Sequence, residues 1–335
     1  MFALTLMLGS ALATGVLIML LAPVLARYAL ARPNARSSHT VPTPQGGGIA
    51  IVAAVATVMI SSALHDVPGF REPWVLEVLA AMLMLAAVGA LDDVWALPVL
   101  PRLVLQFGAA ILLVMALPLP VLGLAWLPQM AERAIVVLAL VWFINLTNFM
   151  DGIDWMTVAE AAPISAALVL LGLSGYVPTL TPVLPVMLAL LGGVIGFAPF
   201  NRHVARLFLG DVGSLPIGAL LGWLLVLLAS GGHLLAALIL PMYYLADATI
   251  TLLRRLARRE RVWQAHRSHF YQIATERGFS VPQVTARVFT LNVFLGVFAA
   301  LSVIARQEAM QITALVLALL ATASVLHEFA RGRAR

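Results

Sequence analysis

The sequence of 335 residues contains no cysteine. Disulfides, thiol catalysis and thiolate-bound iron–sulfur or zinc centres are therefore excluded, and the redox compartment cannot be inferred from the chain. Lysine is absent as well, because all 20 basic residues are arginine. A mechanism in which a lysine amine forms a Schiff base or acts as the nucleophile is therefore also excluded.

Charge of either sign is scarce. Only 10% of the residues are charged, 62% are hydrophobic, and the mean hydropathy is +1.01. A soluble domain of this length needs more charge to cover its surface, so the composition indicates a membrane protein. We therefore expect an all-α, polytopic integral membrane protein that forms one domain over residues 1–335.

Apolar runs of about 20 residues are long enough to cross a bilayer. The sequence predicts about 11 transmembrane helices. Their approximate positions are 2–25, 47–64, 74–91, 103–118, 134–148, 158–175, 182–200, 214–230, 234–253, 288–305 and 309–328.

The arginines are distributed unevenly between the two sides that these helices define. One side carries 17 of the 20 arginines, in the connections that follow every second helix and in the C-terminal tail. Because positive residues stay on the cytoplasmic side, we expect the N-terminus outside and the C-terminus inside. The basic balance then reflects topology and contact with lipid headgroups, so no nucleic-acid partner is expected.

Carboxylates collect at helix ends on this cytoplasmic side. Adjacent carboxylates repel each other, and a nearby cation relieves the repulsion. We interpret the adjacent pair as a metal ligand beside a general base, with an exposed loop start as the alternative. Five of the seven aspartates lie on this side: Asp92, Asp93, Asp151, Asp154 and Asp211.

The stretch NLTNFMDGID has too many polar groups for the end of an apolar helix. Asn145, Asn148 and Asp151 recur at a spacing of three and share one helix face. Gly152 permits a tight turn that brings Asp154 back toward the same cavity. Amides and carboxylates together suit a nucleoside beside a metal-bound diphosphate. Polar contact between helices is the alternative, and it would explain Asn145 but not the two acids.

The segment GDVGS opens the eighth predicted helix. Its glycines allow a close approach, and a helix N-terminus favours an anionic group, so Asp211 needs a cation there. Mg²⁺ takes oxygen ligands, usually one or two carboxylates together with substrate phosphates. We predict a Mg²⁺ site with Asp211, Asp92 and Asn148 as ligands, and Mn²⁺ as a tolerated substitute.

Two cytoplasmic loops supply candidate anion-binding residues, because arginine and histidine donate charge-assisted hydrogen bonds to phosphate. A basic loop that faces lipid headgroups is the alternative interpretation. Asp247 lies in an apolar run seven residues before Arg254, so we expect either a structural pair of these two on one helix face or a shielded acid. The candidate substrate-binding residues of the loops are Arg36 and His39 in the first loop, and His266, Arg267 and His269 in the last.

Five motifs occur in a fixed order along the chain: PNARSSH…PTPQGGGI, LDDVWALP, NLTNFMDGID, NRHVARLFLGDVGS and HRSHFYQ. With these motifs the chain resembles the polyprenyl-phosphate N-acetylhexosamine-1-phosphate transferases, relatives of the phospho-MurNAc-pentapeptide transferase. It is most similar to the members that initiate O-antigen chains. The resemblance implies Mg²⁺-dependent transfer of a sugar 1-phosphate from a UDP-sugar to polyprenyl (undecaprenyl) phosphate, with release of UMP. It also implies a bacterial inner-membrane location with the active site facing the cytoplasm.

The resemblance also implies roles for particular residues. The implied substrates are a UDP-N-acetylhexosamine, 6-deoxy sugars included, and polyprenyl phosphate, while a homodimer is left open. Tyr271 and Gln272 stand where many members have paired histidines, so we expect this loop to select the sugar. The implied roles are catalysis by Asp92, Asp93 and Asp211, nucleotide binding by Asn148, Asp151 and Asp154, and phosphate binding by Arg267 and His269.

An ion- or proton-coupled transporter is the competing class of function, since it too places acids among many helices. Transporters bind near the bilayer midplane, often between repeat halves. The predicted acids stand at one rim and the sequence shows no repeat, which favours an enzyme. A non-catalytic scaffold would explain the helices but not the acids.

Overall fold

The computed structural model describes residues 2–31, 42–95, 97–123, 126–261, 266–305 and 307–333. These ranges fold almost entirely into helices, which confirms the all-α prediction. The helices are α1 (Phe2–Tyr28), α2 (Gly48–Leu64), α3 (Trp74–Trp95), α4 (Val99–Met115), α5 (Gln129–Met150), α6 (Met156–Ser174), α7 (Leu184–Asn201), α8 (Asp211–Ser230), α9 (Leu234–Ile239), α10 (Met242–Ala257), α11 (Phe270–Glu276), α12 (Val281–Ile304) and α13 (Glu308–Arg331), with a 3-10 turn at Pro178–Leu180.

Eight helices in the described ranges have at least 18 residues and are apolar enough to cross a membrane. Helices α2 and α4, of 17 residues each, are apolar and slightly shorter. The chain is therefore a polytopic membrane protein. Which side faces the cytoplasm stays a prediction.

The ninth predicted helix, 234–253, is wrong as a single continuous span. The structure divides it into α9 and α10, and Leu240 and Pro241 separate the two helices. Pro241 has no N–H to continue a hydrogen-bond ladder, so the first helix ends before it. The sequence also missed the short helix α11, which lies in the loop after α10.

Helix α8 lies at the centre of the bundle and is buried along nearly its whole length. Helices α2, α3 and α5 pack around it, and two of these contacts require glycine. A Cβ on Gly48 would lie 2.1 Å from Cα of Gly213, and one on Gly89 would lie 2.2 Å from the carbonyl oxygen of Asp211. The first turn of α8 is therefore held in direct backbone contact with α2 and α3.

A small ribbon holds the chain before α2 against the chain before α8. Strand β1 (Leu30–Ala31) pairs antiparallel with β2 (Thr43–Pro44). The N–H of Phe208 then donates to Pro44, and the N–H groups of Gly46 and Gly47 donate to Phe208. This ladder satisfies backbone groups that would otherwise be unpaired beside the start of α8.

Helix α1 is attached to α7 through small residues. Gly192 and Gly196 stand one turn apart on α7, and a Cβ on either would lie 2.2 or 2.3 Å from a carbonyl oxygen of α1. Ser10 of α1 donates to the carbonyl of Ala189 at 2.7 Å. Because lipid tails are as apolar as leucine, such close packing and hydrogen bonding must replace hydrophobic attraction between these helices.

The α1–α7 contact can be tested with a pair of glycine variants. We expect Gly192→Ala to destabilise the protein by about 1–3 kcal/mol, since the added methyl group forces two backbones apart. Gly9→Ala is the matched control, because nothing lies within 4 Å of a Cβ at that position. Thermal unfolding in detergent measures both variants. Equal melting temperatures for Gly192→Ala and Gly9→Ala would contradict the close α1–α7 contact.

Candidate active site

The N-terminus of α8 is fixed by a carboxylate from another helix. Asp93, near the end of α3, accepts the N–H of Asp211 at 2.9 Å and the N–H of Val212 at 3.1 Å. The first N–H groups of a helix have no partner inside the helix, so Asp93 supplies what they lack. Gly210 adopts φ +76°, and a Cβ there would lie 2.5 Å from Oδ2 of Asp93. Glycine is therefore required at this position for both reasons.

Two further carboxylates share one arginine. Arg102, in the first turn of α4, forms an ion pair with Oδ2 of Asp92 and lies 3.8 Å from Oδ2 of Asp211. The other oxygen of Asp92 accepts the N–H of Leu97 at 2.6 Å, which fixes the turn between α3 and α4. The guanidinium group thus stands between Asp92 and Asp211, where it balances two adjacent negative charges.

Asn148 connects α5 to the same group. Its Nδ2 donates to Oδ1 of Asp211 at 2.7 Å and to the hydroxyl of Ser214 at 2.9 Å. The structure therefore brings together Asp92, Asp93, Asn148 and Asp211 from three helices. Arg102 and Ser214 belong to the same cluster, although no motif or spacing in the sequence selected them as site residues.

The donor set of this cluster fits a divalent cation. Within the described ranges, no three His, Cys, Asp or Glu side chains are grouped so that they could hold a metal by themselves. Asp92 and Asp211 are nevertheless two carboxylates that face one cation, the guanidinium group of Arg102. Mg²⁺ is commonly held by one or two carboxylates with phosphate oxygens completing its shell, so the pair suits Mg²⁺. Asn148 reaches Asp211 through nitrogen here, so its oxygen would bind a metal only after the amide turned over.

Asp151 follows the last residue of α5 and is partly buried. Its Oδ1 accepts the hydroxyl of Thr157 at 2.5 Å. Burial raises the pKa of Asp151 to about 7, while the Thr157 bond opposes the rise and the charges of Asp93 and Asp154 add to it. The charge of Asp93 therefore acts on Asp151 and favours its protonated form.

Asp154, which we expected to turn toward the cavity of Asn148 and Asp151, contacts the connection between α7 and α8. Its Oδ2 lies 2.7 Å from Nδ1 of His203 and 3.1 Å from the N–H of Ala205. The left-handed residue of the turn is Trp155, with φ +69°, and its N–H donates to Asn201. Asp154 thus anchors the connection between α7 and α8. Its role in nucleotide binding stays a prediction.

One expectation about the NLTNFMDGID stretch needs correction. Asn145 donates to Gln106 of α4 at 2.7 Å and to the carbonyl of Val141 at 2.8 Å, which favours the helix-packing interpretation over substrate binding. Gly152 is also required for packing. A Cβ there would lie 2.1 Å from the hydroxyl of Tyr271.

The HRSHFYQ loop contacts the NLTNFMDGID stretch through Tyr271. This side chain is fully buried and its hydroxyl donates to the carbonyl of Phe149 at 3.1 Å. Gln272 is also buried, and its side-chain oxygen lies 3.3 Å from the backbone nitrogen of His269, which donates to it. Both side chains hold the loop in place. Selection of the sugar by this loop stays a prediction.

The candidate phosphate-binding residues of this loop are close to one another. The rings of His266 and His269 stack with centroids 4.9 Å apart, and Arg267 lies 3.3 Å from Glu276. Burial lowers the pKa of His266 to about 4, with smaller contributions from the charges of His269 and Arg255. Burial therefore favours the neutral form of His266. Its predicted contact with phosphate stays a prediction.

The remaining expectations concern the first loop and Asp247. Arg36 and His39 lie outside the described residues, so their predicted role at the rim stays a prediction. Asp247 does not pair with Arg254, whose guanidinium carbon lies 4.5 Å above the ring of Phe270. Instead, Oδ1 of Asp247 lies 3.1 Å from Nδ1 of His269.

Comparison with known families adds to this geometry. Residues 75–229 match the model of glycosyl transferase family 4. The chain is similar to this family over that region. The matched region runs from α3 to α8 and so contains the whole cluster of Asp92, Asp93, Asn148 and Asp211.

Three relatives show how far the similarity extends. The decaprenyl-phosphate N-acetylglucosaminephosphotransferase of Mycolicibacterium smegmatis is 29% identical over 212 residues, which cover 58% of this chain and 52% of that protein. The probable undecaprenyl-phosphate N-acetylglucosaminyl 1-phosphate transferase of Bacillus subtilis is 23% identical over 278 residues, 78% of this chain and 75% of that protein. The phospho-N-acetylmuramoyl-pentapeptide-transferase of Streptococcus mutans is 30% identical over 228 residues, 63% of this chain and 65% of that protein. The chain thus spans about half the length of the mycobacterial relatives that it matches.

The contribution of Asp93 to stability can be separated from any catalytic role. We expect Asp93→Ala to lower the free energy of unfolding by about 1–3 kcal/mol, because two buried N–H groups at the start of α8 lose their acceptor. Asp93→Asn keeps an acceptor oxygen and should melt between Asp93→Ala and the wild type. Thermal unfolding in detergent gives the order. The α8 attachment would be refuted if Asp93→Ala melted at the wild-type temperature.

Proposed function

We propose that the protein transfers an N-acetylhexosamine 1-phosphate from a UDP-sugar to polyprenyl phosphate, giving a polyprenyl-diphosphate sugar and UMP. The observation that carries this proposal is the arrangement of Asp92 and Asp211 around one cation, Arg102, at the start of α8. This arrangement lies in the region that matches the model of glycosyl transferase family 4. The relatives from M. smegmatis and B. subtilis are named for the transfer of N-acetylglucosamine phosphate to a polyprenyl phosphate. They support the same reaction class here.

The chemistry requires positive charge more than it requires a strong base. An oxygen of the lipid phosphate forms a bond to the sugar-bearing phosphorus of the donor, and the bond from that phosphorus to the UMP oxygen breaks. A phosphate monoester has its second pKa near 6, so most of the acceptor is already a dianionic nucleophile at pH 7. The repulsion between two anionic substrates is then the main obstacle, and positioning with charge neutralisation removes it.

Each residue of the cluster is assigned a separate role in this reaction. Both oxygens of Asp93 are engaged by backbone N–H groups of α8, so we assign it the task of holding Asp211 in place. Asp92 and Asp211 are the residues that would hold Mg²⁺, which when bound would supply charge stabilisation to the diphosphate. Arg102 adds a second positive group that can contact a phosphate oxygen. Arg267 and His269 are assigned to the donor phosphates, and Asn148 and Asp151 to the nucleotide side.

The location of the site agrees with this assignment. All four clustered residues stand at helix ends or next to them, whereas transporter sites lie near the bilayer midplane. We propose that this end faces the cytoplasm of a bacterial inner membrane, where a soluble nucleotide sugar can reach it. An N-acetylated donor and a role in O-antigen or related cell-envelope polysaccharide synthesis remain parts of the proposal, as does a homodimer.

The decisive assay follows a radiolabelled UDP-N-acetylglucosamine into an organic-soluble lipid. We expect inside-out vesicles to transfer label in the presence of Mg²⁺, and sealed right-side-out vesicles to do so only after permeabilisation. Asp211→Asn should lower the rate at least about 100-fold, equivalent to ~3 kcal/mol of lost charge stabilisation.

Asp66→Asn is the matched control, because Asp66 forms an exposed pair with Arg71 in the loop between α2 and α3. It should transfer at the wild-type rate. Near-normal transfer by a folded Asp211→Asn variant at saturating Mg²⁺ would refute the metal assignment. No labelled lipid from any UDP-N-acetylhexosamine would refute the reaction.

A further inference from the structure

A second carboxylate centre lies outside the cluster that the proposed mechanism uses. Asp247 of α10 is fully buried, and five donors surround it. Its Oδ1 accepts from the N–H of Phe270 at 3.0 Å and from Thr251 at 3.3 Å, and its Oδ2 accepts from the N–H of Tyr271 at 3.2 Å and from Tyr243 at 3.3 Å. The fifth donor is Nδ1 of His269, 3.1 Å from Oδ1.

These bonds join the helix α10 to the loop that carries the candidate phosphate-binding residues. Two of the five donors are backbone N–H groups of the first turn of α11, which have no partner inside that helix. Asp247 and His269 are 22 residues apart in the sequence. A single side chain therefore determines where the returning loop begins its helix.

The bond to His269 also decides the chemical form of that ring. A carboxylate only accepts hydrogen bonds, so Nδ1 of His269 must carry a hydrogen. The ring is further confined by stacking on both sides, against His266 at 4.9 Å and Tyr271 at 5.7 Å between centroids. Asp247 engages Nδ1 and leaves Nε2 as the ring atom for a substrate.

The confined ring is connected to the candidate active site through Tyr271. The same residue whose N–H binds Asp247 has its hydroxyl on the carbonyl of Phe149, and it fills the space that Gly152 leaves open. Phe149 and Gly152 flank Asp151 in the sequence within two residues. A change at Asp247 is therefore transmitted both to His269 and to the stretch that carries Asn148 and Asp151.

We propose that Asp247 is a positioning residue for the transfer reaction. It fixes His269 in the form with hydrogen on Nδ1 and holds Nε2 for an oxygen of the donor diphosphate. When Nε2 also carries hydrogen, Asp247 balances the positive charge on the opposite side of the ring, as carboxylates do behind other histidines that bind charged groups. This inference rests on the proposed function for the identity of the substrate, but not for the state of the ring.

The test combines a measurement of the ring with a measurement of turnover. In the purified protein, ¹⁵N NMR of labelled histidine reports which ring nitrogen carries hydrogen, and His269→Asn identifies the signal among seven histidines. We expect hydrogen on Nδ1 in the wild type, and a mixture of both forms in Asp247→Asn. Hydrogen on Nε2 alone in the wild type would overturn the proposal whether or not the protein transfers sugar phosphate.

Turnover then separates positioning from support of the fold. We expect Asp247→Asn to lower kcat/KM for the UDP-sugar about 10- to 100-fold, as loss of an outer-sphere carboxylate behind a histidine does elsewhere. In a His269→Asn background the same substitution should cost less than about threefold, because coupled residues are not additive. Thr251→Val is the matched control. It removes a hydrogen bond to the same carboxylate but leaves His269 bound, and should keep turnover within about threefold of the wild type.

An equal loss from Asp247→Asn in both backgrounds would show that Asp247 acts only through the fold, and would overturn the proposal. Wild-type turnover of Asp247→Asn would overturn it as well. If the wild type transfers no sugar phosphate at all, the proposed function fails, and the NMR result still decides whether Asp247 sets the form of His269.

Discussion

The attachment of Asp93 to the first N–H groups of α8 is the interaction on which the rest of the site depends. It joins the end of α3 to the start of α8, while Gly89 and Gly210 let the backbones come close enough for the bonds to form. Without it, the first N–H groups of α8 would lose their acceptor, and Asp211 would lose the attachment that holds it beside Asp92. With it, Asp211 is held beside Asp92, and two carboxylates are forced to share one cation.

The proximity of Asp92 and Asp211 explains why the site attracts a cation. Like charges held together raise the free energy of the site until a cation enters, and Arg102 is the cation that the chain itself provides. A divalent ion and two anionic substrates would redistribute these contacts, since Arg102 can exchange a carboxylate for a phosphate oxygen. The buried helices hold these residues in place. Electrostatic preorganisation of this kind is usually the largest contribution that a site makes to catalysis.

Hydropathy and helix-terminus signals predicted much of this from the sequence. The apolar runs marked the helices, and the GDVGS turn marked Asp211, because both depend on local chemistry. Arg102 could not be selected, since it is one of 17 arginines on its side and its pairing depends on how α4 packs. The spacing predicted that Asn145 and Asn148 share one face, but Asn145 contacts Gln106 whereas Asn148 contacts Asp211. Asp247 was assigned the wrong partner because its true donors arrive through a loop of distant sequence.

Binding of Mn²⁺ to the purified protein, followed by electron paramagnetic resonance without substrates, tests the central claim most directly. We expect one ion per chain in the wild type, loss of that ion in Asp92→Asn and Asp211→Asn, and about tenfold tighter binding in Arg102→Gln, equivalent to ~1.4 kcal/mol, because the competing cation is gone. Asp66→Asn should bind as the wild type does. Unchanged Mn²⁺ affinity in Asp211→Asn, or weaker binding in Arg102→Gln, would contradict the claim that Asp92 and Asp211 form one cation site that Arg102 occupies.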